Sequence, residues 1–486
     1  MSNAVTSCVL VGVDPLPVRI EASLSGGRGQ FIIVGLPDAS IRESRERVRG
    51  AMKASGFTFP TGRVVVSLSP ADLPKRGSMH DLGIALALIA ATTKLGPGIA
   101  DYVAMGELGL DGSLRPTRGS VVAGSVAERM GRTAIVPVGA SLSCPITARV
   151  VGASSLRQVV AIVRGDDAGE LVEFRPPTAG PGTDLCDVYG QHHARRALEI
   201  AAAGGHHLLL IGPPGAGKSM LASRMPSILP PLDAEGMREV ALVAEASDLP
   251  RAQGHPPFRA PHHSISMPAL VGGGSGIPTA GEITKAHRGV LFLDELGEFT
   301  PSVLDALRQP MEAGEVLVSR QAASVRFPAA IQVVAATNPC PCGYLRDLKT
   351  GCTCPAHRKD RYRARLSGPL LDRFDLRVNV DAVRPDDLGG PPPEASTVVR
   401  NRVLAARDRQ GGRGCLNRDL SARTMARYED VDGLRGMLRS ESALEAITAR
   451  GWDRLRRVAR TIADLAGDEL VRPVHMKEAI DLRSTW

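Results

Sequence analysis

Short apolar runs alternate with helical periodicities along most of the chain, and this alternation divides it. In the first region Arg63-Val-Val-Val-Ser-Leu68 reads as a strand, whereas Asp81 to Ala91 has apolar residues at helical spacing. A compact α/β domain over 1–165 is predicted, closed by a linker over 166–185. Its segment Arg175-Pro-Pro-Thr-Ala-Gly-Pro-Gly182 suits neither helix nor inner strand, because proline removes a donor and glycine loses more backbone entropy. Beyond it the apolar runs Leu208–Ile211, Val290–Leu293 and Ile331–Ala335 alternate with helical stretches. That order predicts a parallel sheet covered by helices over 186–385. A second break, Asp386-Asp-Leu-Gly-Gly-Pro-Pro-Pro393, marks a linker over 386–396. The last region, 397–486, has Leu455, Val458, Ile462 and Leu465 on one helical face and is predicted to form a helical lid.

Composition fits this picture. The 486 residues are 43% hydrophobic and 23% charged, enough for two or three cores. An apolar run of about 18 residues is missing, and Met1 to Val13 lacks the pattern of a signal peptide, so no membrane partner and a cytoplasmic location are expected. A formal charge of +8 favours a polyanionic partner, since lysine and arginine facing phosphates release counterions.

Candidate chemistry begins at Leu208. The strand Leu208–Ile211 runs into Gly212-Pro213-Pro214-Gly215-Ala216-Gly217-Lys218-Ser219 and then a helix from Met220 onward, which is the context a phosphate-binding loop requires. Glycines let backbone N–H groups wrap phosphates at a helix N-terminus, Lys218 reaches the β- and γ-phosphates, and Ser219 can ligate Mg²⁺. Downstream, the strand ending Leu293-Asp294-Glu295 places Asp294 near Mg²⁺ and Glu295 where it can orient the attacking water. A further strand ends at Thr337-Asn338, whose amide can hold that water or the γ-phosphate. ATP and Mg²⁺ are thus the expected cofactors.

Four of the eight cysteines crowd into one loop over 340–357. Cys340-Pro-Cys342 and Cys352-Thr-Cys354 supply four soft ligands for a tetrahedral Zn²⁺ site, with His357 able to replace one of them. The familiar structural spacing is C-x₂-C, so four reduced thiols in a surface loop is the competing reading. Either way the cluster precedes the basic run Arg358-Lys-Asp-Arg-Tyr-Arg-Ala-Arg365.

Several longer motifs carry a resemblance. Gly190-Gln191, the phosphate loop, His262-His263-Ser264, Gly281-Glu282-Ile283, the Asp294-Glu295 strand, Ser367-Gly-Pro-Leu-Leu-Asp-Arg-Phe374 and Ala459-Arg-Thr-Ile-Ala-Asp464 together resemble the ComM/YifB family of magnesium-chelatase-like AAA+ proteins. The resemblance implies an insertion around Phe258 to Gly274 in the second helix of the core, and a hairpin around Glu315 to Phe327. It also implies an arginine finger at Arg373 that completes a neighbour's site, a lid arginine at Arg450 touching γ-phosphate, and a hexameric homo-oligomeric ring. The function it implies is a DNA motor, a branch-migration helicase in recombination or natural transformation. A chaperone-like protein remodeller or a magnesium-chelatase-type motor is the second reading.

In the first region, Pro74-Lys-Arg-Gly-Ser-Met-His-Asp81 and Gly106-Glu-Leu-Gly-Leu-Asp-Gly-Ser-Leu-Arg-Pro116 resemble segments of the Lon protease domain, which has the ribosomal-protein-S5-like fold. By that resemblance Met79 stands at the Ser nucleophile's position and Val121 at the lysine base's, so the domain is expected to be proteolytically inactive.

Overall fold

Alternation along Arg63–Ser69 buries Val64, Val66 and Leu68, with Arg63 and Ser69 exposed at its ends. The computed structural model describes residues 4–483 except 28, 74, 76, 94, 96, 176–181, 251–253, 275–277, 321–323, 346–350, 367, 384–386, 388 and 441–447. Two compact units result. The first comprises Met1–Thr178 and Asp233–Gly254; the second comprises Ala179–Leu232 and His255–Trp486.

In the first unit an eight-stranded mixed sheet runs in the order Glu170–Leu171, Val150–Ala153, Thr133–Pro137, Tyr102–Ala104, Val5–Val11, Asp14–Ser25, Arg63–Ser69, Gln30–Val34. Helix Asp81–Thr92 is buried on all sides from Asp81 to Ala90, which is why its sequence is apolar almost all round. The buried Asp81 carboxylate is held by Ser44 and by Arg47 at 2.6 Å, so its charge is compensated. Two boundaries differ from the sequence reading. Glu170–Leu171 pairs with Val151–Gly152 and so belongs to the sheet; a strand of two residues is too short to leave a pattern. Residues 176–181, the centre of the expected linker, lie outside the described residues.

The other difference is helix Ala234–Ala246, which chain order assigns to the following region. It buries Ala241 and Leu242 with Val103, Val121, Val126 and Val136 of the first unit, and Arg238 pairs with Glu128 at 2.8 Å. Periodicity reveals that such a helix has an apolar face but not which of two cores receives it.

The second unit is built on a five-stranded sheet, all parallel, in the order Phe258–Arg259, Val290–Leu293, Gln332–Thr337, Leu208–Ile211, Leu376–Asn379. Its three central strands are buried throughout, as strands covered on both faces must be. The segment expected as an insertion in the second helix of the core, Phe258 to Gly274, starts as the edge strand Phe258–Arg259 of this sheet; helix Met267–Val271 and a pairing of Gly272–Gly273 with Thr279–Ala280 follow. The hairpin forms from Glu315–Ser319 and Ser324–Pro328. Helices His192–Gly204, Lys218–Ile228, Ser396–Gly411, Ala449–Ala466 and Pro473–Asp481 contribute to one hydrophobic core, in which Leu455, Val458 and Ile462 are buried and Leu465 partly so. The lid helices therefore pack in the same unit as the sheet. Of the expected linker 386–396, residues 386 and 388 lie outside the described residues. Among the described residues no helix is long and apolar enough to cross a membrane.

Candidate nucleotide site

All parallel strands end on one side, and at their carboxyl ends the expected chemistry converges. The loop from Gly212 leaves the strand Leu208–Ile211 so close to the neighbouring chain that a side chain at Gly212 would meet the Val380 carbonyl oxygen at 2.1 Å. Gly217 takes φ 87°, a left-handed value that glycine adopts without strain, and starts the helix from Lys218. Gln191 braces the loop from outside, its amide donating to the Ala216 carbonyl at 3.1 Å.

Lys218 is buried, and its ammonium donates to the carbonyls of Gly212 and Pro213 at 2.8 Å each and to Asn338 Oδ1 at 3.2 Å. Burial lowers its pKa, and the Asp294 and Glu295 carboxylates oppose that shift. Ser219 Oγ donates to Asp294 Oδ2 at 2.6 Å. The four side chains thus form two pairs, lysine with asparagine and hydroxyl with carboxylate. A hard-oxygen pair of this kind fits Mg²⁺. Glu295 follows at φ 52°, left-handed for a non-glycine residue, and its N–H donates to Asp294 Oδ1 at 2.9 Å. Strain of this sort costs about 1–3 kcal/mol and is typical of sites that aim a side chain. His263 Nδ1 lies 3.2 Å from Glu295 Oε2.

The two arginines lie elsewhere in the unit. Arg373 is largely buried and occupied: Nη2 is 2.9 Å from Glu312 Oε1, Nη1 donates to the Pro369 carbonyl at 2.7 Å and Nε to the Arg308 carbonyl at 3.2 Å. Its partner is therefore Glu312, while Asp372 pairs with Arg377 and Asp375 with Arg454. Asp375 is fully buried, which by itself would raise its pKa, but its surroundings, with the Arg454 guanidinium at 2.7 Å, hold it far down instead. Arg454 also donates to the Arg373 carbonyl at 3.2 Å, so the lid helix grips the loop that carries Arg373. Arg450 is exposed at the start of that helix. Its neighbours are engaged within the chain: Arg456 with Glu429, Arg457 with the Leu420 carbonyl and Arg460 with Asp464.

The four cysteines do come together. Their sulfurs lie within 4.8 Å of one another, with Cys340, Cys342 and Cys352 separated by 3.4, 3.6 and 3.6 Å. A tetrahedral site with Zn–S bonds of about 2.3 Å has sulfur separations of about 3.8 Å, so the donor set fits. Cys342 is drawn down to about 6, chiefly by the Tyr344 N–H, whereas burial pushes Cys340 up to about 12. His357, the alternative ligand, is exposed on helix Ala356–Arg365. This module leans on the nucleotide loop. A side chain at Gly343 would meet Pro214 at 2.4 Å; Tyr362 is buried against Gly297, its hydroxyl 3.1 Å from Thr337 Oγ1. Arg358, Arg361, Arg363 and Arg365 of the same helix remain exposed.

In the first unit Met79 and Val121 fall into one apolar cluster, which leaves no nucleophile–base pair at those positions. Ser78 donates to Glu107 and Lys75 to the Pro70 carbonyl, so neither serves the other. ATP-stimulated casein degradation is expected to be undetectable; activity that disappears in Ser78→Ala would overturn this reading.

Sequence motifs gave Gln191 and Tyr362 no role in the site, because a lone side chain that acts through a neighbour has no spacing signature.

Family profiles described as magnesium chelatase subunit ChlI, subunit ChlI of Mg-chelatase, and the subunit ChlI C-terminal region match residues 184–388, 20–140 and 393–483. The YifB protein of Salmonella typhimurium is 41% identical over 491 residues, covering 98% of this chain and 95% of that one. Competence protein ComM of Haemophilus influenzae is 40% identical over 492 residues, covering 98% and 96%. Lon protease 2 of Bacillus subtilis is 30% identical over 141 residues, 27% of this chain and 26% of that one. The chelatase likeness reaches the front domain, so it is not confined to the ATPase region.

Proposed function

The chain belongs to the ComM/YifB family of magnesium-chelatase-like AAA+ ATPases, and from that premise we propose that it is a cytoplasmic ring motor, hexameric, that spends ATP to move branched DNA during recombination or DNA uptake. The observation that carries the ATPase reading is the convergence of Lys218 with Asn338 and of Ser219 with Asp294 at one sheet edge. Ser219 and Asp294 would hold Mg²⁺, which when bound neutralises charge on the phosphates. Lys218 would exchange its carbonyl partners for β- and γ-phosphate oxygens, and Asn338 and Glu295 would orient the attacking water. Arg373 of one subunit would complete the site of the next, and Arg450 would contact the γ-phosphate from the lid.

DNA is favoured over protein by the exposed arginine face of helix Ala356–Arg365 and by exposed Arg320 at the hairpin. Similarity along nearly the whole of a competence protein points the same way. The second reading, a protein remodeller or chelatase-type motor, is favoured by the three chelatase profiles. ATPase rates with single-stranded DNA, branched DNA or unfolded protein separate the two. DNA should stimulate, and stimulation should fall strongly between about 50 and 200 mM salt, because phosphate contacts release counterions. Stimulation by unfolded protein alone would favour the second reading.

Cys340, Cys342, Cys352 and Cys354 would hold one Zn²⁺. Metal analysis should find about one zinc per chain, with Cys342→Ser losing it. Turnover should fall in that variant, because the turn through Gly343 supports Pro214 of the phosphate loop. Zinc well below one equivalent and unaffected by Cys342→Ser would retire the site.

A further inference from the structure

Helix Ala39–Ala54 in the first unit turns Ile41, Ser44, Val48, Ala51 and Met52 inward, all buried. At 3.6 residues per turn, Arg42, Arg45, Arg49 and Lys53 fall within an arc of about 80° on its outer flank and form a stripe about 16 Å long. Arg42, Arg49 and Lys53 are exposed, and among the described residues none of the three forms an ion pair. Other arginines of this unit are matched: Arg47 with Asp81, Arg19 with Glu21, Arg129 with Asp14 and Arg238 with Glu128. Arg45 is held only loosely, 3.7 Å from Glu46. Arg49 lies over the Phe59 ring at 6.0 Å, and Phe59 lies 5.9 Å from Phe31 of the edge strand Gln30–Val34, so this guanidinium is steadied by a ring and not neutralised by a carboxylate. Arg157 adds a further guanidinium at the helix's C-terminal end, 3.5 Å from the Ser55 carbonyl oxygen. Like charges four residues apart on a helix repel, so Arg45, Arg49 and Lys53 cost the bare helix stability. A polyanion lying along the stripe replaces that repulsion with attraction.

We propose that the outer flank of helix Ala39–Ala54 is a second DNA-binding surface, which holds the phosphate backbone of a single strand through Arg42, Arg49 and Lys53. The proposal rests on the DNA-motor reading for the identity of the polyanion. Guanidinium and ammonium donors pair with phosphate oxygens whatever the base sequence, and each contact releases counterions. The stripe belongs to the first unit, whereas Arg320 and the arginines of helix Ala356–Arg365 belong to the second. Its loss therefore weakens DNA binding without abolishing it.

The test measures binding of a fluorescent oligothymidine to the full chain by anisotropy, at salt concentrations from about 50 to 200 mM. One variant combines Arg42→Gln, Arg49→Gln and Lys53→Gln, since glutamine keeps the helix propensity and the side chains are exposed. A control with the same loss of charge combines Arg129→Gln, Arg149→Gln and Arg164→Gln, three exposed arginines elsewhere on the unit. The stripe variant should bind about tenfold or more weakly at about 100 mM salt, and its slope of log affinity against log salt should be smaller by about 2, the share of three single-strand phosphate contacts. The control should stay within about twofold of wild type, because its cations face no phosphate. A stripe variant that binds like wild type, or a control weakened as much, would overturn the surface while the DNA-motor reading stands. Wild type that binds no DNA but binds polyglutamate, and loses it in the stripe variant, would assign the helix to an acidic protein and overturn both.

Discussion

Glu295→Gln is expected to bind ATP as tightly as wild type and to hydrolyse it about a hundredfold more slowly or worse, because the amide cannot accept the water's proton. Lys218→Ala should fail earlier, at binding. Its ammonium is buried among the Gly212 and Pro213 carbonyls and Asn338, so its loss removes a desolvated charge from the phosphate site. Truncating one side of such a pair costs about 2–5 kcal/mol, about thirtyfold or more in affinity. Nucleotide binding and turnover measured on the same two variants check both statements. Equal turnover in wild type and Glu295→Gln would remove Glu295 from the mechanism.

Arg373→Ala is expected to reduce hydrolysis by about a thousandfold or more and to leave ATP binding intact, as removal of a finger supplied by a neighbour does. The finger must first leave Glu312, whose side chain is 52% exposed. A partly solvated pair of that kind is worth about 1 kcal/mol or less, small beside the effect expected of the finger. Glu312→Ala should therefore spare turnover. Rings mixed from Arg373→Ala and Lys218→Ala chains should recover part of the activity, because a native finger then meets a native phosphate loop at some interfaces. If Glu312→Ala is as damaging as Arg373→Ala and mixing restores nothing, Arg373 is a structural residue of its own chain.

Much of this arrangement was legible in the sequence, for reasons particular to its parts. A strand covered on both faces must be a continuous apolar run, so Leu208–Ile211 and Val290–Leu293 announced themselves. The phosphate loop followed because its glycines have few other uses between a strand and a helix. Ser219 and Asp294 lie 75 positions apart, and motif context alone linked them. What stayed hidden depends on partners chosen in three dimensions. Helix Ala234–Ala246 has an apolar face that either core would accept, and it packs in the first unit. Phe258–Arg259 is two residues long and obeys no period, yet it is the edge strand that brings His263 to Glu295. Arg373, on a loop, gave no sign of Glu312, which lies on helix Arg308–Ala313. The cysteines show the opposite case: C-x-C spacing is unusual for zinc, but the fold gathers the four sulfurs all the same.

The central claim, an ATP-driven ring that moves DNA branches, is tested most directly by following a labelled strand in a three-stranded branched DNA. Wild type should displace the strand only with ATP and Mg²⁺, more steeply as protein concentration rises through ring assembly, while Glu295→Gln binds the same DNA and leaves it unmoved. Displacement that proceeds equally without ATP or with Glu295→Gln, or none at concentrations where ATP is hydrolysed, would contradict it.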